Sequence, residues 1–192
     1  MKNLVILIFF VPFVSFAQDF TEVTEVPGKT AGQLYSMARE WFAKSFITAD
    51  NALLMDDQIS GKIIAKGSIQ ISDSTKTVDW YPNFTIIVSF KDGRYKTGIT
   101  DISITTGVSE YSTGTTKTFK EYFDKKETYK KLGDSEWYIN TPPAGVKMGK
   151  AAARAAARPN QVLYNLICKT ESEMKELLSK LNQEMTKVED DW

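Results

Sequence analysis

Two short patterns carry the residue types of a serine acyl-transfer enzyme. Ser172-Glu173-Met174-Lys175 fits S-x-x-K, where a lysine one helical turn from a serine can take its proton, and Lys96-Thr97-Gly98 fits K-T-G. Their order along the chain is reversed, no S-D-N element accompanies them, and Ser172 and Lys175 fall off the apolar stripe of the helix that holds them. Short patterns of common residues recur by chance, and these are read that way. The chain has no histidine. That removes Ser-His-Asp and Cys-His nucleophiles and every zinc site that needs imidazole. Asp56 and Asp57 are adjacent carboxylates, expected to diverge in the solvated turn Asp56-Asp57-Gln58. Glycosidase-type chemistry needs two carboxylates across a cleft, a distance the sequence leaves open. No D-x-D-x-D-G calcium loop occurs. Cys168, the only cysteine, has no fixed cationic neighbour and reads as a small packed hydrophobe. No catalytic residue, cofactor or metal ligand is assigned.

The elements that would position any site are clearer. Asn83 to Thr105 reads as a hairpin about Asp92-Gly93, where Gly93 can take a positive φ. Phe84, Ile86, Val88 and Phe90 share one face, with Ile87 out of pattern. Ile63, Ala65, Gly67, Ile69 and Ile71 share a face of a preceding strand, with Ile64 as its exception. The sheet is therefore buried on one side and wet on the other. Parity switches between Ile99 and Ile102, through a bulge near Gly98 or a glycine bulge at Gly93. Pro82 is expected to stop Trp80-Tyr81 from joining a central strand.

Phe20 to Val26 reads as an edge strand ending at Pro27-Gly28, and Ala52 to Met55 as a short strand. Thr30 and Gln33 form a capping box ahead of a helix buried along Leu34, Met37, Ala38, Trp41 and Ser45, with Phe42 and Phe46 widening the stripe, ended by Asp50-Asn51. Phe119 to Leu132 is a weak charged helix and Trp137-Tyr138-Ile139 a short docking strand. Ala151 to Arg158 is a helical linker, since Gly149 and Pro159 bracket it and Arg154 and Arg158 are too few for firm membrane binding. Asn160 then caps a last helix whose stripe runs from Leu163 to Val188, with Glu189-Asp190-Asp191 fraying its end. The order β-α-β-β-β-β-α predicts an α+β fold: an antiparallel sheet of about five strands with two helices on one face.

Lys2, the apolar run Leu4 to Val14 and Ser15-Phe16-Ala17 read as a signal peptide cleaved after Ala17, too short for a permanent span. Residues 18–192 are then expected to form one exported domain, periplasmic or extracellular, with 107–159 an irregular insertion or linker before the last helix. No transmembrane segment is expected once the leader is removed. The 24 basic and 24 acidic side chains balance, which opposes a nucleic-acid partner.

Val26-Pro27-Gly28-Lys29-Thr30, the Leu34-Tyr35…Trp41-Phe42 helix and Phe90-Lys91-Asp92-Gly93-Arg94-Tyr95 resemble an exported family called domain of unknown function 4468. The resemblance covers Phe20 to Thr105 and reaches the last helix only by pattern. It implies a fold similar to one repeat of the TATA-box-binding protein, and brings no catalytic residues with it.

Trp80, Tyr81, Tyr111, Trp137 and Tyr138 fall in expected loops, where aromatics line a recognition patch or cap the ends of the core. The expected function is a non-catalytic exported domain that binds an unknown protein or small molecule, through the polar sheet face and these aromatics. The alternatives are a carboxylate hydrolase and a carrier with an apolar pocket between helix and sheet.

Overall fold

The computed structural model describes residues 20–46, 53–72, 78–109, 112–141, 145 and 147–187. The leader, Asp50-Asn51, Tyr111 and Glu189-Asp190-Asp191 lie outside them. Among the described residues seven strands form one antiparallel sheet. They are β1 (Phe20–Glu25), β2 (Leu53–Asp57), β3 (Lys62–Ser68), β4 (Ile71–Ser72), β5 (Asp79–Lys91), β6 (Arg94–Ser109) and β7 (Ser112–Thr118). The order is β1-β6-β5-β3-β2, with β4 beside β5 and β7 beside β6. Among the described residues, helices α1 (Ala31–Ser45) and α5 (Lys150–Met185) flank three short ones: α2 (Phe119–Phe123), α3 (Lys126–Leu132) and α4 (Ser135–Asn140).

The β5–β6 hairpin turns in two residues, Lys91 pairing with Arg94 around Asp92 and Gly93, whose φ is 74°. Its tip also fastens the start of the chain. Val26 N–H donates to Gly93 O at 2.7 Å, Gly93 N–H to Lys29 O at 2.8 Å, and Ala31 N–H to Asp92 Oδ1 at 2.8 Å. Asp92 thus relieves one orphan donor of α1, while Thr30 and Gln33 close the capping box at its mouth. The helix buries Leu34, Tyr35, Ala38, Trp41 and Phe42, and each large side chain removed from water contributes roughly 1.5–3 kcal/mol.

The parity switch on β6 is a bulge, placed at Asp101 rather than Gly98. Register shifts between Asn83 and Thr85, and Asp101 has φ 53°. The left-handed region costs an L-residue about 1–2 kcal/mol, and here it keeps both Ile99 and Ile102 in the core. Asp101→Gly is therefore expected to leave stability within about 1 kcal/mol of the parent, and Asp101→Val to cost about 1–2 kcal/mol more, read from denaturant midpoints.

Pro82 corrects the sequence reading, for it sits inside β5, paired with Ile104 on β6. On its other side its carbonyl accepts from Ile69 N–H at 3.1 Å. The return bond from a proline nitrogen cannot form, and Ile69-Gln70 is where the β3–β4 ladder breaks. The same register resumes at Ile71 opposite Trp80. The long strand read from Ile63 to Ile71 is one path with a proline-sized gap. Asp56 and Asp57 likewise end β2, and the turn comes after them.

Residues 107–159 are largely built into regular structure. β7 pairs with β6 from Ser103–Thr118 to Ser109–Ser112. Trp137-Tyr138-Ile139 is helix rather than strand, its start capped by Asp134 Oδ1, which accepts from Glu136 N–H at 2.9 Å. Ala151 to Arg158 is no linker: α5 runs 36 residues straight through Pro159, about 54 Å at 1.5 Å per residue. Ala153 and Ala157 are buried against Tyr138, so the small side chains make room for α4. Gly133 lies equally close, since a Cβ there would stand 3.0 Å from Gln161 Cα.

Both α1 and α5 close over one face of the sheet. Their Trp41, Phe42, Leu166, Ile167, Met174 and Leu181 join Ile63, Phe84, Ile86, Val88, Ile99 and Ile104 in one core cluster.

Candidate functional site

Among the described residues, the sequence-predicted aromatics do not converge. Trp80 has 0% of its surface exposed; its indole N–H donates to Thr170 Oγ1 at 3.0 Å, and Tyr122 meets its ring edge-on at 4.7 Å. It is core because Pro82 does not end the strand that carries it. Tyr138 is buried under α5. Trp137 is half-buried, with Lys131 Nζ 5.6 Å from its ring centroid. Tyr81 alone lies on the open side of the sheet, opposite Thr105, and Tyr111 is outside the described residues.

The serine-enzyme fragments come apart too. Lys96 is exposed while Thr97 is buried at 3% exposure on the opposite face, its hydroxyl without a partner among the described residues. Ser172 and Lys175 are exposed on α5. Cys168 is half-buried with the Tyr164 hydroxyl against it. Among the described residues no three His, Cys, Asp or Glu side chains gather to hold a metal.

A cleft of about 460 Å³ opens between α1 and β2, lined by Tyr35, Ser36, Arg39, Glu40, Leu53 and Gln58. At its base the Tyr35 hydroxyl donates to Asp56 Oδ1, and Arg39 Nε donates to Asp56 Oδ2 at 2.8 Å. Glu40 is paired with Lys44 at 2.6 Å. Tyr35 and Arg39 clamp the helix to Asp56 on the edge strand, Glu40 is held within the helix, and no two of these carboxylates face each other unpaired. Burial, then the Asp56 carboxylate, push the Tyr35 phenol up to about 12. Burial also raises Tyr95 and Tyr122. A phenol raised in the folded state stabilises fully below its unfolded value near 10 and loses that contribution as pH climbs through the raised value. Stability is therefore expected to fall between about pH 10 and 12. Tyr35→Phe is expected to remove a phenolate that forms near pH 12, followed by absorbance.

The face of the sheet away from α1 and α5 carries an ordered set of side chains. Its cross-strand rows follow from the register. Met55, Ile64, Ile87 and Gly98 form one; Asp57, Lys62, Ser89, Lys96 and Val23 the next; Lys66, Thr85 and Thr100 a third. Beyond them lies a hydroxyl-rich corner, where Asn83 Nδ2 donates to Thr105 Oγ1 at 3.0 Å and Thr105 and Thr116 hydroxyls meet at 2.8 Å. Ile64 and Ile87, the two residues that broke alternation in the sequence, pair with each other here. Two matching exceptions on neighbouring strands were the signal for an apolar strip on the wet side.

No curated protein matches the chain significantly. A crystal structure of a TBP-like protein from Parabacteroides distasonis is similar with a TM-score of 0.54 at 10% identity, over 89% of this chain and 94% of that one. A DUF4468 family protein from Bacteroides ovatus has a TM-score of 0.51 at 13% identity, over 91% and 89%. At such identities the likeness is one of fold. The family model for DUF4468 matches residues 20–105, the stretch in which the Val26–Thr30 and Phe90–Tyr95 motifs bind each other. The fold is TBP-like, and residues 20–105 are similar to DUF4468, a domain of unknown function with that fold.

Proposed function

We propose that the chain is an exported, non-catalytic binding domain whose open sheet face meets its partner in the cell envelope. The observation that supports this is that both major helices lie on one side of the sheet. The rows through Ile64, Ile87, Lys62, Lys96 and Thr100 are left without a helix over them among the described residues. Strands this long, bared on one face with an aliphatic strip inside polar rows, suit recognition more than solvation. The groups at the α1–β2 cleft are tied into ion pairs, which favours binding over hydrolysis. Export rests on the leader pattern, and among the described residues no helix is long and apolar enough to cross a membrane.

A photo-crosslinking residue placed at Ser89 or Thr100 is expected to capture a partner in the native envelope, and the same residue at Lys175 on α5 to capture none. Equal capture at all three positions would remove the open face as the site. Recovered protein is expected to begin at Gln18; an intact Met1 terminus would contradict export through a cleaved leader.

A further inference from the structure

Among the described residues, five large hydrophobic side chains are exposed: Val23, Leu54, Met55, Ile59 and Val108. Three of them belong to the β2–β3 hairpin. Ile59, at its tip, is 101% exposed. The turn that presents it is built: Asp57 Oδ1 accepts from Ile59 N–H at 2.9 Å and from Ser60 N–H at 3.1 Å. Gly61, with φ 60°, closes back on Gln58 O at 3.2 Å, and its carbonyl accepts from Phe90 N–H at 2.8 Å. The isoleucine is held in water by a turn anchored to the central strand.

The same end of the open face is basic. Lys62 and Lys96 share a row two strands apart, about 10 Å at ordinary strand spacing. Lys66 stands on β3, and Lys91 and Arg94 face each other at the hairpin end. The carboxylates nearby are engaged. Asp57 caps the turn, Glu25 lies 3.9 Å from Arg94, and Asp56 binds Tyr35 and Arg39. Lys62, Lys66, Lys91 and Lys96 have no carboxylate partner among the described residues.

Resting on the open-face reading, we infer that its partner is an anionic lipid surface, with Ile59, Leu54 and Met55 entering the headgroup boundary and Lys62, Lys66 and Lys96 over the phosphates. Charge complementarity calls for an anion. Aliphatic side chains on a protruding turn suit a deformable apolar phase better than a rigid acidic surface. Compact ammonium charges on flexible stems suit mobile headgroups.

The test is partition of the full chain onto vesicles of phosphatidylcholine alone and with phosphatidylglycerol. Every variant carries the same N-terminus, so residues 1–19 contribute equally throughout. The wild type is expected to bind the anionic vesicles preferentially. Lys62→Gln and Lys96→Gln are each expected to lower that binding about fivefold, and Ile59→Ser at least tenfold. Lys175→Gln on α5 is the control, expected to change nothing. Equal binding to neutral and anionic vesicles, or an undiminished Ile59→Ser variant, overturns the inference. Capture of a protein at Ser89 and Thr100 without vesicle binding overturns the lipid assignment and leaves the open face standing. Failure of both removes the face altogether.

Discussion

Trp80→Ala is expected to lower the unfolding free energy by about 3–5 kcal/mol, the range for deleting a buried large aromatic. The indole is wholly enclosed beneath α5, so the void has no solvent-side wall to collapse from. Two specific contacts go with it: the bond to Thr170 Oγ1, and the edge contact with Tyr122. Thr170→Val separates these parts. It keeps the shape, leaves the indole N–H unpaired, and is expected to cost about 1–3 kcal/mol. Denaturant melts of both variants check the ranking; a Trp80→Ala loss below about 1 kcal/mol would mean that the indole reaches water.

Gly67→Val is the second large effect. Gly67 pairs with Phe84 across β3 and β5, and the phenyl ring lies over the bare glycine backbone. A Cβ there would stand 2.6 Å from two ring carbons of Phe84 and 3.1 Å from Phe46. Phe84 is itself buried, so the ring cannot swing away without opening the core. Overpacking of this kind costs about 1–3 kcal/mol and occasionally more. Gly67→Ala and Gly67→Val are expected to destabilise in that order, and Phe84→Leu to soften both, measured as a double-mutant cycle.

Much of the fold was legible wherever one face of an element is apolar. The Asp92-Gly93 turn, the Thr30–Gln33 box and the Leu34–Phe42 stripe each announced themselves through local chemistry. The failures share a cause, which is that tertiary partners overrode local signals. Pro82 stays in β5 because only one of its two neighbours needs its missing N–H. Pro159 stays in α5, whose alanines on one side and apolar stripe on the other both pack. β7, exposed along nearly its whole length, has no apolar alternation to reveal it. The motifs that carried the family resemblance proved to be structural, since Val26–Lys29, Ala31 and Asp92-Gly93 bind one another at the head of α1.

The open face was half legible. Its polar character followed from the alternation, whereas its aliphatic strip showed only as two isolated exceptions, Ile64 and Ile87, that the register brings side by side. Trp80, Trp137 and Tyr138 misled because loops were assumed where strand and helix exist.

Thiol-labelling rates report whether the face away from α1 and α5 is open and whether a partner covers it. In a Cys168→Ala background, Ser89→Cys and Thr100→Cys report the open face, while Val88→Cys and Ile99→Cys report the covered one. An open face predicts rapid labelling at the first pair in the free protein, protection of that pair when native envelope membrane is added, and slow labelling of the second pair throughout. Slow labelling at Ser89 and Thr100 before any partner is present, or unchanged rates after it is added, would contradict it.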